Sequence, residues 1–259
     1  MILTDHVSHR PWPLPDAPWV MHQAWNDFLF QHWPVSVEQL RRCVPEPLTL
    51  DLRDGVAWLG IIPFHMSDVR PRGTVNVPGI SAFPELNVRT YVTVGGRPGV
   101  YFLSLDASNR LAVETARATF DLPYFKADMS WERDGETLVY RSVRTDRRGP
   151  PATLLERYTP RGPYRYAAPG SLEKWLSERY CLYTVGKAGQ VSTTEIHHLP
   201  WPVRDVDVEI EANTMGACHG IDLPDQPPHV LYSPGVDVVV WGPTRDRTRG
   251  VPGDHDSLA

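Results

Sequence analysis

The sequence predicts a mainly β, α+β protein whose strands are mostly antiparallel and whose few helices are short and carried on loops. Three observations lead there. Residues 83–94, FPELNVRTYVTV, alternate side chains from one face to the other over a full strand length. Asp54-Gly55 and Gly95-Gly96 are dipeptides that close hairpins between such runs. Helical spacing is confined to three brief segments, set among about ten strand-like runs.

In chain order, residues 1–18 are rich in proline and polar side chains without a period, and are expected to drape over the surface as a flexible N-terminal segment. Residues 27–35 read as a buried strand. Ser36 with Gln39 forms a capping-box pattern for a short helix that Pro45 and Pro47 end. Residues 48–52 and 56–64 flank Asp54-Gly55 and predict a hairpin, and 67–80 read as a loop with Gly and Pro punctuation. Strand 83–94 then turns at Gly95-Gly96 into 99–108. Its one face carries Leu86, Val88, Thr90, Val92 and Val94. Its other carries Glu85, Asn87, Arg89, Tyr91 and Thr93, a composition suited either to a polar pocket or to a solvent-facing sheet surface.

Ser108 predicts a cap for a helix over 109–119, after which Pro123 leads into the strand LPYFKADMSW. The turn at residues 133–136 returns the chain as TLVYRSVRT, and 146–151 and 160–170 read as loops. Ser171 caps SLEKWLSE, and strands follow at 179–185, 191–198, 206–211 and 236–241. His197-His198 ends one of these, with adjacent side chains on opposite faces, so no shared metal is expected there.

At 259 residues the chain fits one large β-rich domain, placed over 19–242, with a flexible tail at 243–259. Hydrophobic residues make up 41% and charged residues 22%, too apolar a mixture for disorder. A net charge of −5 argues against a nucleic-acid partner. Three scattered cysteines without CxxC spacing suit neither a disulfide framework nor a zinc knuckle, and a reducing cytoplasm is expected. No stretch approaches the roughly 20 apolar residues of a membrane helix, and the first residues lack the pattern of a signal peptide. Neither a repeat nor a GxGxxG, GxxxxGK[ST], GxSxG or HExxH motif occurs, so no cofactor is expected.

Lysine occurs only at Lys126, Lys174 and Lys187, although lysine and arginine together total 26. Lys126 lies between apolar neighbours in a strand, sharing a face with Tyr124, Asp128 and Ser130. A half-buried amine of this kind either snorkels to water along its stem or loses its proton through desolvation and becomes a nucleophile toward carbonyls.

The runs VPEPLTLD with DGVAWLGIIPF, FPELNVRTYV, GVYFLSLDA, LPYFKADM, SLEKWLSERYCLY and IHHLPWP occur in this order. Together they resemble the YqjF-like family of uncharacterised bacterial proteins, a branch of the acetoacetate decarboxylase-like superfamily, over residues 25–241. The resemblance implies a cone-like antiparallel β-barrel wrapped by further strands, with a pocket inside. The decarboxylases of that superfamily hold a Schiff-base lysine followed by a second lysine in a Tyr-Pro-Lys-Lys type motif. Tyr124-Phe125-Lys126-Ala127 is similar, with Ala127 in place of the second lysine. Glu85 resembles the pocket glutamate of those enzymes.

Two functions follow. In the first, a lyase-type enzyme forms a Schiff base between Lys126 and a keto acid, Glu85 moves protons, Arg89 grips a carboxylate, and Asn87 and Tyr124 orient the ligand. In the second, a ligand-binding barrel has kept the pocket and lost the chemistry, the direction in which Ala127 leans. Either way the expected partner is a small molecule, and self-association into a homo-oligomer is left open.

Overall fold

A computed structural model of the protein describes residues 3–77 and 81–245. Its strands are β1 (Met21–Val35), β2 (Thr49–Leu50), β3 (Ala57–Pro71), β4 (Phe83–Val94), β5 (Arg97–Ala107), β6 (Tyr124–Asp134), β7 (Thr137–Arg144), β8 (Thr153–Tyr166), β9 (Cys181–Val185), β10 (Val191–His197), β11 (Pro202–Asn213), β12 (His229–Val240) and β13 (Thr244–Arg245). The helices are α1 (Val37–Cys43), α2 (Arg110–Phe120) and α3 (Leu172–Ser177).

All the strands join one sheet in the order β13-β10-β9-β5-β6-β7-β8-β11-β12-β1-β3-β4-β2. A further pairing of β5 with β4 brings that order back on itself, so the sheet is partly ringed around an interior. Every named pairing is antiparallel except β5 with β6 and β5 with β9. Parallel neighbours need a crossover, and α2 supplies it between β5 and β6.

Strand β4 sits at the middle of the packing because both of its faces are buried. Leu86, Val88 and Val92 enter the main core with Leu29, Trp33 and Ile61. The opposite face carries Glu85, Asn87 and Arg89, which are only 2%, 4% and 6% exposed, so a solvent-facing polar surface is excluded for this strand. A second, more aromatic cluster gathers Phe28, Phe30, Phe64, Phe83 and Trp201 against that face.

The local signals were mostly sound at caps and turns. Ser36 accepts the amide of Gln39 and Ser171 accepts that of Lys174, as their helix-start patterns require. The cap of α2 is one residue later than expected: Asn109, not Ser108, accepts the amides of Leu111 and Ala112. The helix ends before Pro123 because Asp121 turns left-handed at φ 52°.

Three expectations are corrected. Residues 48–52 do not form a hairpin with the next strand. The chain turns at Asp54-Gly55 with a single bridge between Arg53 and Val56, and β2 pairs instead with β4, Thr49 opposite Thr93. The loop expected from residue 67 begins later, since β3 runs on to Pro71 through an irregularity beside Asp68, whose φ is 53°. The loop expected at 160–170 is largely strand. There β8 passes through Pro160 opposite Val206 on β11, and proline is tolerated because β7 pairs with β8 only as far as Leu138 and Tyr158, so no ladder bond is lost on that side.

Residues 3–12 lie against β10. Arg10, 8% exposed, donates to the Ile196 carbonyl at 2.6 Å and to the Glu195 carboxylate at 2.9 Å, which also accepts from the Trp12 indole at 3.0 Å. The tail expected at 243–259 begins with Thr244 and Arg245 paired to β10, and the remainder lies outside the described residues.

One ion pair is wholly enclosed where β5 meets β7. The Arg144 guanidinium donates to Asp106 at 2.8 and 3.3 Å and to the Ser104 hydroxyl at 3.0 Å, and it stacks over Phe125. Removing one member would leave the other buried and uncompensated. Arg144→Ala should therefore lower the unfolding free energy by about 3–5 kcal/mol in a denaturant titration. A loss below about 1 kcal/mol would show that water reaches the pair.

Candidate functional site

The polar face of β4 opens on a cavity of about 300 Å³. Its walls come from β1, β3, β5 and β6, and α2 lies along one side. Leu111, Ala112, Thr115, Ala116 and Phe120 all face the cavity, a spacing that follows one stripe of a helix. Leu111 and Thr115 are also exposed, so the cavity reaches the surface beside α2.

Glu85 accepts a 2.8 Å hydrogen bond from the Tyr124 hydroxyl. Burial pushes the carboxyl of Glu85 up to about 8, because its charged form is poorly solvated there; the Tyr124 bond opposes the shift, and the nearby Asp106 charge adds to it. Burial, with the Glu85 charge, drives the Tyr124 phenol well above its ordinary range. Glu85 and Tyr124 thus form a neutral, proton-bearing pair at neutral pH. A second acid, Glu156, is pushed up to about 8 by burial and is held by Gln31, but it does not line this cavity.

Arg89 is the unusual member. Its guanidinium donates to the Leu176 carbonyl at 3.2 Å and more weakly to the Tyr91 hydroxyl at 3.4 Å, both neutral acceptors, and its Nε is buried with no acceptor. It forms no ion pair among the described residues. Arg179, on the approach to β9, lines the same cavity; it pairs with Asp51 at 2.6 Å but leaves Nη2 buried and unpartnered. The Asn87 Oδ1 and the Trp201 indole N–H are likewise buried, unpartnered and in the lining. Native interiors leave few such atoms unpaired, and four of them share this one cavity.

Lys126 is not among the lining residues. It shares a face of β6 with Tyr124, but β6 follows β5 only through Leu105–Tyr124, Asp106–Phe125 and Ala107–Lys126 before turning to β7. Tyr124 beside Leu105 reaches the cavity, whereas Lys126 lies one step of about 6–7 Å further along the strand, beside Ala107, which is also outside the lining. Its amine donates to the Ala127 carbonyl at 2.6 Å. The side chain of β6 that meets Glu85 is therefore a phenol.

The two adjacent histidines diverge where β10 ends at His197. His197 bonds the Leu3 carbonyl of the N-terminal arm, and His198 lines the cavity, its imidazole pushed below the ordinary range by burial. Among the described residues no group of three or more His, Cys, Asp or Glu side chains is arranged to hold a metal ion. Among the described residues no helix is long and apolar enough to cross a membrane. Arg179 and Trp201 were not singled out from the sequence, although both stand in the runs SERYCLY and LPWP, where a charge or indole sits among apolar residues.

The partly ringed sheet has an acetoacetate decarboxylase-like fold. The similarity extends to an acetoacetate decarboxylase from Legionella pneumophila, with a TM-score of 0.60 at 13% identity over 95% of both chains. It extends also to the enduracididine biosynthesis enzyme MppR complexed with pyruvate, with a TM-score of 0.60 at 11% identity over 91% of this chain and 93% of that one. The protein belongs to the DUF2071 family, described as an uncharacterized conserved protein, whose pattern matches residues 22–237. It is 44% identical over 239 residues to the uncharacterized protein YqjF of Bacillus subtilis (strain 168), covering 92% of this chain and 98% of that one.

Because the folded state holds a proton on Glu85 where the unfolded chain has released it, stability should fall as pH rises from the ordinary glutamate value of 4.5 toward about 8. Glu156 acts in the same direction. Glu85→Gln should flatten part of the slope in melting temperatures taken across that range, leaving the parts due to Glu156 and to Asp106, whose carboxyl burial raises to about 6. An unchanged slope would mean that Glu85 is ionised in the folded protein.

Proposed function

We propose that the protein binds a small organic acid in this cavity, with the ligand carboxylate serving as the counter-ion of Arg89. The observation that carries the reading is the buried Arg89 guanidinium, which meets only neutral acceptors in a largely apolar chamber. An unpaired buried charge is expensive, and a carboxylate answers both its charge and its forked donors. Arg179 adds positive potential and a free donor at Nη2. Asn87 stands between Arg89 and Glu85 on β4 and offers its amide to a polar group on the ligand. Glu85, protonated and held by Tyr124, supplies a hydrogen-bond donor to a ligand carbonyl. Keto acids combine these two functions, which makes them the first class to try; the MppR complex with pyruvate gives the same lead.

Binding without covalent chemistry is favoured over imine formation because the Lys126 amine is engaged with the Ala127 carbonyl and lies outside the lining. The Schiff-base reading keeps one support: Lys126 is on the same face of β6 as Tyr124, so a side-chain rotation toward the cavity is the movement it requires.

Calorimetric titration with 2-keto and 3-keto acids and their neutral amides separates these readings. The acids should bind and the amides should not, and Arg89→Met should weaken acid binding by about 10–100-fold, the loss expected for a charged hydrogen-bonding partner. Equal binding of amides, or no effect of Arg89→Met, would overturn the carboxylate role. Borohydride added to the same mixtures should leave the protein mass unchanged. An adduct that disappears in Lys126→Ala would establish the imine instead.

A further inference from the structure

The size and chemistry of the chamber specify more than an acid. Arg89 and Glu85 are four residues apart on β4, about 13 Å along the strand, so the polar groups are distributed along the chamber rather than gathered at one point. Between and around them the walls are aromatic: Trp25, Phe28, Phe64, Phe102, Phe120 and Trp201 all line the space. Several of these rings pack on one another, Phe28 against Trp201 at 4.5 Å and against Phe64 at 4.8 Å between centroids. Ring-on-ring packing of this kind fixes a preformed wall rather than a collapsible one.

A volume of about 300 Å³ stands at the lower end of the range for pockets that hold drug-sized ligands, about 300–1,000 Å³. A three-carbon acid seated on Arg89 would leave most of the aromatic wall against water. Glu85 pairs with Ala107, at the end of β5 that leads into α2, whereas Arg89 lies four residues back along β4 opposite Phe102, and the lining residues that meet solvent include Leu111 and Thr115 on α2. A ligand entering beside α2 therefore places its charged end inward and its apolar end under the helix.

We propose that the ligand is an amphipathic monocarboxylic acid with an aromatic or medium-length apolar body, its carboxylate on Arg89 and its body against the rings beneath α2. The inference rests on the acid-binding reading above and names the class of acid. Ala112 and Ala116 are then specificity-determining positions, because their small side chains leave room between α2 and the facing strands.

A homologous series of straight-chain 2-keto acids from three to seven carbons, with phenylpyruvate added, tests this by calorimetry. Affinity should rise about fourfold with each added methylene until the chamber is full, the factor that burial of one methylene supplies, and phenylpyruvate should bind more tightly than pyruvate by at least tenfold. Ala116→Phe, which occupies the body's place while leaving Arg89 untouched, should weaken phenylpyruvate strongly and pyruvate little. A second substitution, Ala112→Leu, gives the same contrast if the first variant fails to fold. Affinity that is flat or falls with chain length, with short acids still bound, would overturn the apolar-body inference and leave acid binding intact. Binding of no acid at any length would overturn both. Equal binding of matched aldehydes or amides would remove the carboxylate seat while the dependence on chain length persisted.

Discussion

A guanidinium buried without a carboxylate beside it is the constraint around which this molecule is arranged. Arg89 is carried on β4, the strand whose two faces are both enclosed, and only 6% of it is exposed. Its surroundings soften the penalty in part. The Leu176 carbonyl and the Tyr91 hydroxyl accept from it, Phe30 and Tyr91 present ring faces near it, and Tyr91 in turn bonds His32 at 2.7 Å. His32 answers by staying neutral: burial first, and then the Arg89 charge, hold its imidazole well below the ordinary range. Each neighbour accommodates the positive charge, and none neutralises it. A ligand anion is the partner proposed for it.

The opposite property holds at the other end of the same strand. Glu85 is buried where no cation answers it, so it keeps its proton, and Tyr124 fixes its orientation. One strand thus presents a lasting positive charge and a neutral acid four residues apart, both to the same apolar chamber. The separation follows from the pleat, since alternate residues of β4 share a face. The enclosure follows from the β4–β5 pairing that brings the sheet round on itself.

Much of this was legible in the sequence because it depends on local rules. The bounds of β4 and the grouping of Glu85, Asn87 and Arg89 on one face follow from strict alternation. Ser36 and Ser171 announce their helices, and the Gly95-Gly96 turn joins β4 to β5. What could not be read depends on partners far along the chain. The pairing of β2 with β4 instead of β3 is decided by which edge is free. The continuation of β8 through Pro160 is decided by where β7 stops. The place of Lys126 outside the chamber is decided by where β6 leaves β5, a three-residue register that no local pattern encodes. Arg179 and Trp201 reach the chamber from β9 and β11 approaches more than ninety positions of chain beyond Glu85, a distance over which alternation is silent.

The central claim is that Arg89 waits for a ligand carboxylate, and the most direct measurement is a crystal structure of the protein soaked with phenylpyruvate. The carboxylate is expected within about 4 Å of the Arg89 guanidinium, with the phenyl ring among Phe28, Phe64 and Trp201. A ligand joined to Lys126, or one whose carboxylate turns toward α2 and leaves Arg89 without an anion, would contradict it.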